Sequence, residues 1–375
     1  MQNRGESIGS ALFGEPERIG VERGISEFRA GRPVLLADKT EKLLALPVDG
    51  IDAAQLAAFI ALSAPAAPDL IITARRARTL GLAVDEPVAL ELTGGTDLNS
   101  LSALTAEVGT DAGIGATPAT AAARGALDLA KIALRLPAVL AVKARPGIGV
   151  GFEPPLVTVA VDALPRFRQT AARALKIVGE ARVPLAENLR ARFVVFRDGI
   201  GAESVAVVVG APDFSQPVPV RLHSACLTGD VFGSRRCDCG DQLKLALSRL
   251  SGIGGGVILY LDQEGRGLGL VNKMRAYTLQ DGGLDTVDAN TALGFDDDER
   301  DYRIAARMLE MLGCTRVQLL TNNPAKMDGL AGKGIEIESR IPLVAPVNRD
   351  NHRYLAAKAT RAGHSLDHLL ETLKD

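Results

Sequence analysis

Three of the four cysteines in this 375-residue chain lie close together in one short stretch. Cys226, Cys237 and Cys239 follow the spacing Cys-x10-Cys-x-Cys. A structural zinc finger usually brings four ligands as paired Cys-x2-Cys knuckles, and this spacing does not fit that pattern. Three thiolates without an evident fourth partner predict an open zinc site, where the metal keeps a water and lowers its pKa to roughly 7. The first interpretation is therefore a zinc hydrolase.

Two other interpretations of the cysteine trio stay open at this point. His223 or Cys314 could complete a closed, structural zinc site, and the cysteines could also be partly buried free thiols. Polar residues suited to binding and catalysis crowd the same half of the chain, and they favour the open, catalytic site.

The loop 262–269 follows a predicted strand and is rich in glycine. Its glycines allow backbone N–H groups to approach a ligand, and Arg266 can clamp an anion. Glu264 could accept hydrogen bonds from a base edge such as that of guanine, which presents N–H donors. Many glycine-rich loops after strands are simple turns, so this loop by itself does not establish a site.

The segment 321–326 follows another predicted strand, and Pro324 predicts that a helix begins there. The N-terminus of a helix suits a phosphate group, with Lys326 as a cation and Thr321 as a hydroxyl donor. An ordinary strand-to-helix turn is the alternative.

A run of acidic residues is predicted to open a helix that begins at Asp298 and ends near Leu312. For Asp296 and Asp297 we favour a structural role, because acidic residues cap helix N-termini and complement the helix dipole. For Asp298 and Arg300 the local pattern does not decide between structure and catalysis.

Composition excludes several classes of protein. The net charge of -2 gives no global basic field for nucleic acid, and 4% aromatic residues without tryptophan disfavour a base-stacking surface. No apolar stretch is long enough to predict a transmembrane helix, and the N-terminus lacks the pattern of a secretion signal. Four cysteines do not make a disulfide framework. We therefore expect a cytoplasmic protein.

The two halves of the chain differ in chemistry. All four histidines and all four cysteines lie at or after His223. Since these two residue types supply much of general-base, nucleophilic and transition-metal chemistry, we expect little of it in the N-terminal half. The carboxylates there still allow a magnesium-type site.

Both halves are predicted to fold, with strands and helices in each. In the N-terminal half, strands are predicted at 33–37 and 42–46, helices at 52–62 and 121–136, and a helical connector at 164–179. In the C-terminal half, strands are predicted at 192–196, 204–209, 219–223, 256–261 and 316–320, with a helix at 241–250. Alternating strands and helices with polar loops after the strands predict an α/β fold, which binds ligands at those loops.

The segments of the C-terminal half, taken together, resemble GTP cyclohydrolase II, the zinc enzyme that opens riboflavin biosynthesis. The resemblance covers about 175–375. It rests on five motifs in the order of the family: His-Ser-x-Cys-Leu-Thr-Gly-Asp-Val-Phe-Gly-Ser-x-Arg-Cys-Asp-Cys-Gly from His223, Gln-Glu-Gly-Arg-Gly from Gln263, Asn-Lys-x-Arg-Ala-Tyr-x-Leu-Gln from Asn272, Asp-Glu-Arg-Asp from Asp298, and Leu-Thr-Asn-Asn-Pro from Leu320. It implies a mixed-sheet cyclohydrolase domain, and a homodimer by analogy with the family.

The resemblance also implies roles for individual residues. Cys226, Cys237 and Cys239 match the zinc ligands, and Tyr277, Asp298 and Arg300 match the catalytic positions. In the family, Asp298 corresponds to the proposed proton acceptor and Arg300 to the proposed nucleophile toward the α-phosphate. The positions that match GTP-binding residues are Arg221, Leu222, His223, Ser224, Ala225, Gln242, Glu264, Gly265, Arg266, Thr286, Thr321 and Lys326.

Two positions depart from the pattern of the family. Ala225 stands where the family commonly has Glu, and Asp262 stands where Arg is frequent. Neither position matches a metal ligand. The departures bear on one substrate contact and on the local charge, so the affinity for GTP or the substrate itself could differ.

The N-terminal half faintly resembles 3,4-dihydroxy-2-butanone 4-phosphate synthase, which bacterial enzymes often carry fused to this cyclohydrolase. The resemblance rests on 75–82 and 113–120. The acidic signature of the synthase should fall near 38–45 and is missing, and its His-Thr-Glu motif cannot be present without a histidine. We expect residues 1–174 to be a decayed α+β synthase domain kept for packing, dimerisation or stability, followed by the cyclohydrolase domain 175–375.

The family reaction would convert GTP to 2,5-diamino-6-(5-phosphoribosylamino)pyrimidin-4-one, formate and diphosphate, with Zn²⁺ at the thiolates and Mg²⁺ on the polyphosphate. Arg300 could act as a nucleophile or as an electrostatic clamp, since a guanidinium stays protonated in most proteins. The alternatives to this function are a related ring hydrolase acting on another purine or pyrimidine nucleotide, and a non-catalytic protein that binds zinc or nucleotide.

Overall fold

A computed structural model describes residues 12, 14–92, 95–111, 113, 115–186, 189–348, 350–351 and 361. The chain forms two compact units. Unit 1 comprises Met1–Arg168, Val271–Leu284 and Asp288–Asp298, and unit 2 comprises Gln169–Leu270, Asp285–Val287 and Glu299–Asp375. Each unit therefore includes segments that are distant in sequence. The functional division of the chain at residue 174 stays a prediction.

Unit 1 is built on a seven-stranded mixed sheet with the order β5-β4-β3-β6-β2-β1-β7. Most neighbouring strands pair antiparallel, and β1 pairs parallel with the edge strand β7. The strands are β1 Val34–Ala37, β2 Lys42–Pro47, β3 Asp69–Ile72, β4 Val88–Glu91, β5 Ala116–Pro118, β6 Ala138–Lys143 and β7 Thr158–Ala160.

The helices of unit 1 include two that begin with clear capping residues. Asp52 caps its helix through a capping box with Gln55, and Thr120 accepts a hydrogen bond from the Ala123 amide at the start of another. The helices are Pro16–Arg29, Ala53–Ser63, Ala74–Thr79, Leu98–Ala106, Ala121–Ile132 and Ala163–Thr170, with most of Leu270–Asp281 and Thr286–Ala292.

Unit 2 is built on a second seven-stranded mixed sheet, with the order β14-β13-β11-β12-β10-β9-β8. The strands are β8 Lys176–Pro184, β9 Arg190–Arg197, β10 Glu203–Gly210, β11 Val218–Ser224, β12 Gly255–Leu261, β13 Arg316–Leu320 and β14 Glu336–Ile341. The helices are Leu227–Asp230, Cys239–Gly252, Arg303–Met311 and Pro324–Ala331, and Glu264–Gly267 forms a turn whose two central residues are not helical.

The central strands β10 and β12 of unit 2 are nearly continuous apolar runs and are buried on both faces, whereas the edge strands β8 and β14 are largely exposed. Alternate residues point to opposite faces, so Val208 and Leu259 belong to one core cluster while Val207 and Ile258 belong to the other. Helix Arg303–Met311 packs in the first cluster, and helix Cys239–Gly252 packs in the second. This two-faced burial is typical of α/β folds, and the predicted fold class is confirmed.

The central strands of unit 2 end at one edge of the sheet. β11 runs parallel to β12 on one side and to β13 on the other, while β10 pairs antiparallel with β12. The carboxyl ends of the parallel strands β11, β12 and β13 therefore lie side by side. Each of these ends leads into one of the polar loops identified in the sequence. Ligands bind at such an edge in open α/β sheets.

Three predicted helix boundaries were wrong. The helix expected from Asp298 begins at Arg303, and the acidic residues before it are not helical. The connector expected to stay helical to 179 ends in a 3-10 turn at Ala174, and Lys176 already begins β8. The helix expected to reach 136 ends at Ile132. Among the described residues, no helix has the length and apolar character needed to cross a bilayer.

Candidate active site

The three cysteines singled out in the sequence converge at the end of β11. The sulfur atoms of Cys226, Cys237 and Cys239 all lie within 4.8 Å of one another, and those of Cys226 and Cys237 are 3.7 Å apart. Tetrahedral ligands at about 2.3 Å from a zinc ion have sulfurs about 3.8 Å apart, so the spacing suits zinc. Cys226 and Cys237 are buried and Cys239 is partly exposed.

Two glycines make this convergence possible. A Cβ atom on Gly229 would lie 2.9 Å from the Cys237 sulfur and 3.0 Å from the Cys226 sulfur. A Cβ atom on Gly240 would overlap the carbonyl oxygen of Gly229. Any larger residue at either position would push the short helix Leu227–Asp230 away from the cysteines.

Asp230 fixes the backbone at Cys226, where the loop that carries the three cysteines begins. Its carboxylate accepts hydrogen bonds from the Cys226 amide at 2.9 Å and from the Tyr260 hydroxyl at 2.9 Å. It also lies 3.1 Å from Nε2 of His223, whose ring stacks on that of Tyr260 with centroids 5.5 Å apart. Burial lowers the pKa of His223, although the hydrogen bond with Asp230 acts in the opposite direction.

The chemistry of the sulfurs also fits a bound cation. The hydrogen bond between the Cys226 and Cys237 sulfurs raises the pKa of the Cys237 thiol to about 11. Three thiolates this close need a positive charge to be stable at neutral pH, which a divalent metal supplies. In the described part of the chain, the side chains close enough together here to hold one metal ion are those of the three cysteines.

The two residues considered as a fourth ligand lie elsewhere. Cys314 is fully buried in the apolar core of unit 2, where burial raises the pKa of its thiol to about 12. His223 directs its Nε2 atom to Asp230 and is not among the residues whose ligand atoms cluster around the three sulfurs. Neither residue supports a closed structural site.

Several polar side chains at the end of β11 are buried with only part of their hydrogen-bonding capacity used. Arg221 donates from Nη1 to the Leu320 carbonyl at 3.1 Å and from Nη2 to Gln242. Burial lowers the pKa of Arg221 to about 10, and the charge of Arg300 contributes in the same direction. Among the described atoms, Arg221 Nε, His223 Nδ1 and Ser224 Oγ are buried without a hydrogen-bond partner. Buried polar atoms are normally paired, so a bound ligand is a natural partner for them.

The loop after β12 brings Glu264 beside the cysteine loop. The Glu264 carboxylate accepts a hydrogen bond from the Leu227 amide at 2.6 Å. Gly265 and Arg266 both have φ near +64°, and for Arg266 this left-handed conformation costs about 1–3 kcal/mol. Strain of this kind is concentrated at functional sites. The Arg266 carbonyl accepts a hydrogen bond from the Glu299 amide at 3.1 Å.

The loop after β13 forms the expected helix N-terminus. Asn323 caps the helix Pro324–Ala331 by accepting a hydrogen bond from the Ala325 amide at 3.0 Å. The Thr321 hydroxyl oxygen accepts one from the Asn323 amide at 3.0 Å. Lys326 is buried and donates from Nζ to the Leu222 carbonyl at 2.8 Å, which places a positive charge next to the end of β11.

The remaining predicted site residues are divided between the two units. In unit 2, Leu222 is buried within β11, the Ala225 amide donates to the Leu261 carbonyl at 2.8 Å, and Thr286 begins the helix Thr286–Ala292. Tyr277 and Asp298 belong to unit 1.

Arg300 and Tyr277 each take part in a contact with an aromatic ring. The guanidinium carbon of Arg300 lies 5.8 Å from the ring centre of Tyr302 in unit 2. In unit 1, Lys273 Nζ lies 5.6 Å from the ring centre of Tyr277. Both distances are within the range of cation–π attraction.

Sequence reasoning missed three residues that shape the site, namely Gly229, Asp230 and Tyr260. Gly229 and Asp230 lie inside the cysteine motif, so a sequence signal existed for both. Tyr260 lies in a strand that reads as purely apolar, and only the pairing of β11 with β12, which puts His223 opposite Tyr260, reveals its contact.

The chain is similar to known proteins over most of its length. The family model for GTP cyclohydrolase II matches residues 176–342. The GTP cyclohydrolase-2 of Xylella fastidiosa (strain 9a5c) is 40% identical over 359 residues, which cover 95% of this chain and 89% of that relative.

Two other relatives match shorter parts of the chain. The GTP cyclohydrolase-2 of Azotobacter vinelandii is 54% identical over 172 residues, which cover 46% of this chain and 83% of that relative. The riboflavin biosynthesis protein RibBA of Bacillus cytotoxicus is 54% identical over 165 residues, which cover 44% of this chain and 42% of that relative.

Proposed function

This chain belongs to the GTP cyclohydrolase II family, and we propose that it hydrolyses GTP to 2,5-diamino-6-(5-phosphoribosylamino)pyrimidin-4-one, formate and diphosphate as a zinc enzyme. The family places the enzyme in riboflavin biosynthesis. The observation that carries the zinc proposal is the convergence of three sulfurs within 4.8 Å, next to buried polar atoms without partners at the end of β11.

Cys226, Cys237 and Cys239 would hold the metal. A zinc ion bound there supplies Lewis acidity that makes water a nucleophile at neutral pH, which the poorly electrophilic C8 of guanine requires. Asp230 orients the loop of the first ligand through the Cys226 amide. Groups that orient ligands in this way support metal affinity.

Glu264 is the residue best placed to recognise the base. Its carboxylate accepts a hydrogen bond from Leu227, the residue that follows the ligand Cys226. A carboxylate can accept from two donors, and guanine presents N1–H and N2–H2 on one edge. A base held by Glu264 would therefore lie close to the sulfur trio.

Buried cations of unit 2 suit the triphosphate. Arg221 and Lys326 are both buried, and the charge of Arg300 acts on Arg221. Attraction between charges is stronger in a buried site than in bulk water. We propose that these groups hold the phosphates, with Gln242, Arg266, Thr286 and Thr321 as further contacts and Mg²⁺ neutralising the remaining charge.

We propose that Arg300 acts as an electrostatic clamp on the α-phosphate. A guanidinium loses its proton only in exceptional surroundings, and the Arg300 guanidinium lies 5.8 Å from the centre of the Tyr302 ring, a distance suited to cation–π attraction. Asp298 would accept a proton during the reaction, and Tyr277 would assist at the ring or at the phosphate. A phosphoramidate trapped on Arg300 by rapid quench would establish the nucleophilic role instead.

The proposed function is tested by incubating the full-length protein with GTP, Zn²⁺ and Mg²⁺ and measuring formate and diphosphate. We expect both products in equal amounts, with turnover lost on chelation of zinc and restored by its return. Turnover of another purine or pyrimidine nucleotide in place of GTP would favour the related hydrolase, which Ala225 and Asp262 would then explain. Bound zinc without any turnover would favour a non-catalytic protein.

We propose that residues 1–174 lack synthase activity. The chain has no histidine or cysteine before His223. In the region expected to carry the acidic signature, Asp38 instead accepts hydrogen bonds from the amides of Thr40 at 2.6 Å and Glu41 at 2.8 Å, so it holds a tight turn. Conversion of ribulose 5-phosphate by the purified protein would overturn this proposal. A cytoplasmic homodimer remains our expectation from composition and from the family.

A further inference from the structure

Unit 1 contains two segments from the part of the chain that matches the cyclohydrolase family. Val271–Leu284 carries Tyr277, and Asp288–Asp298 ends in Asp298. Both fold in one compact unit with Met1–Arg168. The two residues proposed for catalysis outside unit 2 are therefore held by a part of the protein that has no evident catalytic set of its own.

Arg76 is the principal link within this unit. Its side chain is buried, with the residue only 1% exposed. The guanidinium donates to the carbonyls of Leu104 at 2.8 Å, Ala103 at 2.7 Å and Glu107 at 2.7 Å. Its Nη1 atom donates to the carbonyl of Ala292 at 2.8 Å. One side chain thus joins the end of helix Leu98–Ala106 to the end of helix Thr286–Ala292.

A second contact follows two residues later along the segment. The Thr73 hydroxyl donates to the Gly294 carbonyl at 2.8 Å. Gly294 has φ of +87°, and a Cβ atom there would lie 2.8 Å from the Thr73 hydroxyl oxygen and 3.3 Å from the Arg76 Cβ. The chain at Gly294 therefore passes too close to the helix Ala74–Thr79 for any larger residue.

Ion pairs hold the next part of the segment. Asp296 lies 2.8 Å from Arg75 Nε and 3.0 Å from Lys131 Nζ, and Asp297 lies 3.3 Å from Arg75 Nη1. Burial raises the pKa of Asp296, but Lys131 and Arg75 outweigh burial and lower it overall. The next residue is Asp298. The acidic residues thought to cap a helix therefore serve to fix the backbone just before the proposed proton acceptor.

The helix that carries Tyr277 is held in a similar way. Asp49 is buried and forms an ion pair with Arg275, and Asn272 donates to the Leu134 carbonyl at 3.2 Å. Burial would raise the pKa of Asp49, but the hydrogen bond and charge of Arg275 lower it, which keeps the pair ionised. Arg275 lies two residues before Tyr277.

We propose that the N-terminal part of unit 1 is a scaffold for the catalytic segments of the cyclohydrolase, and that Arg76 is a positioning residue for the reaction. This inference rests on the proposed function. It explains why a half without histidine or cysteine is retained. The Azotobacter relative, of which 172 residues make up 83%, is about half as long as this chain and has no room for a comparable half.

The test compares three full-length variants. Arg76→Met removes the four hydrogen bonds but fills much of the same space, and Arg76→Lys keeps a charge and part of the bonding. The matched control is Arg78→Met, because Arg78 lies on the same helix, is exposed, and donates to Val84 and Asp85. Each variant is measured for kcat and KM with GTP, for zinc content, and for hydrogen exchange of peptides covering 286–300 and 224–240.

We expect Arg76→Met to lower kcat by about tenfold to a hundredfold, since a displacement of about 1 Å at a catalytic group has effects of this size. KM for GTP and zinc content should stay close to those of the parent, and exchange should rise in 286–300 but not in 224–240. Arg76→Lys should recover part of kcat, and Arg78→Met should match the parent.

Two results would overturn the proposal. The first is a parent-like kcat for Arg76→Met at equal zinc content. The second is a loss of kcat accompanied by loss of zinc and faster exchange in 224–240, which would show general destabilisation. If the parent itself does not turn over GTP, the proposed function fails, and the exchange data still report whether Arg76 holds the segment.

A second variant keeps the test decisive if Arg76→Met does not fold. Arg75→Met/Lys131→Met removes two cations from Asp296, whose side chain is about half exposed, and leaves the buried Arg76 in place. We expect a severalfold loss of kcat with faster exchange limited to 286–300. A parent-like kcat for this variant would count against the scaffold.

Discussion

Two buried arginines, one in each unit, have the same shift in pKa but differ in how many of their hydrogen bonds are made. Burial lowers the pKa of both Arg76 and Arg221 to about 10. The guanidinium of Arg76 donates to four backbone carbonyls. Arg221 donates to one carbonyl and to Gln242, and its Nε atom has no partner among the described residues. Burial and pKa do not distinguish the two arginines, but the hydrogen-bonding capacity left on Arg221 does, and it is the reason we propose a ligand-binding role for Arg221 alone.

The same difference extends to the neighbours of the two arginines. Around Arg76, the polar groups of Thr73, Arg75 and Lys131 are used in contacts with residues 294–297. Around Arg221, the buried atoms His223 Nδ1 and Ser224 Oγ lack partners in the described part of the chain. Since an unpaired buried polar group costs about 1–3 kcal/mol, we interpret the end of β11 as built for a ligand. If the contrast is functional, substitutions near the end of β11 should reduce GTP turnover, and a substitution at a paired surface group of unit 1 should not.

The largest effect is expected from Cys237→Ser, which removes a buried sulfur from the trio. A serine hydroxyl is a poor zinc ligand, so zinc content should fall to near zero and GTP turnover by at least about 10³-fold. Metal analysis and a formate assay measure the two quantities. Cys314→Ser is the matched control, since Cys314 lies in the apolar core, and it should keep its zinc. Full turnover by Cys237→Ser would remove the basis for the metal site.

A smaller effect is expected from Arg221→Met. Loss of one charged hydrogen bond to the substrate costs about 1.5–3 kcal/mol, which corresponds to a drop in kcat/KM of about tenfold to a hundredfold. Arg221→Lys keeps the charge and should lose less. Zinc content and melting temperature are measured alongside to detect unfolding. If Arg221→Met kept a parent-like kcat/KM, the contrast with Arg76 would have no functional meaning.

The smallest effect is expected from Asp38→Ala in unit 1, where the carboxylate holds a turn. GTP turnover should be unchanged. Hydrogen bonds from Thr40 and Glu41 lower the pKa of Asp38, so folding favours its ionised form. The stabilisation is therefore full above the ordinary pKa of about 4 and is lost as the pH falls through the lowered value.

Melting temperatures of parent and Asp38→Ala should accordingly differ slightly at pH 7 and converge below about pH 4. Asp162→Ala, at another exposed acidic residue, serves as the reference. A difference that grows on acidification, or a loss of GTP turnover, would show that Asp38 does more than hold the turn.

Prediction from the sequence succeeded where chemistry is concentrated in a few neighbouring residues. The cysteine trio, the α/β class, the strands around the site and the helix beginning at Pro324 were all recognised. The structural role predicted for Asp296 and Asp297 is confirmed by their ion pairs, but the predicted helix cap was wrong, because a cluster of carboxylates before an apolar helix looks like a cap. The partners of Asp296, Arg75 and Lys131, lie more than 160 residues earlier in the chain, and local pattern carries no information about them.

Sequence by itself determined which residues could hold a metal, the positions of most strands and helices, and the family of the chain, because these depend on residue type and on spacing along the chain. Tertiary structure decided which polar groups are already satisfied and which remain available. It also placed Tyr277 and Asp298 in a unit with the N-terminal half. The physical reason is that hydrogen bonding and burial depend on neighbours in space, which the folded chain brings together from distant positions.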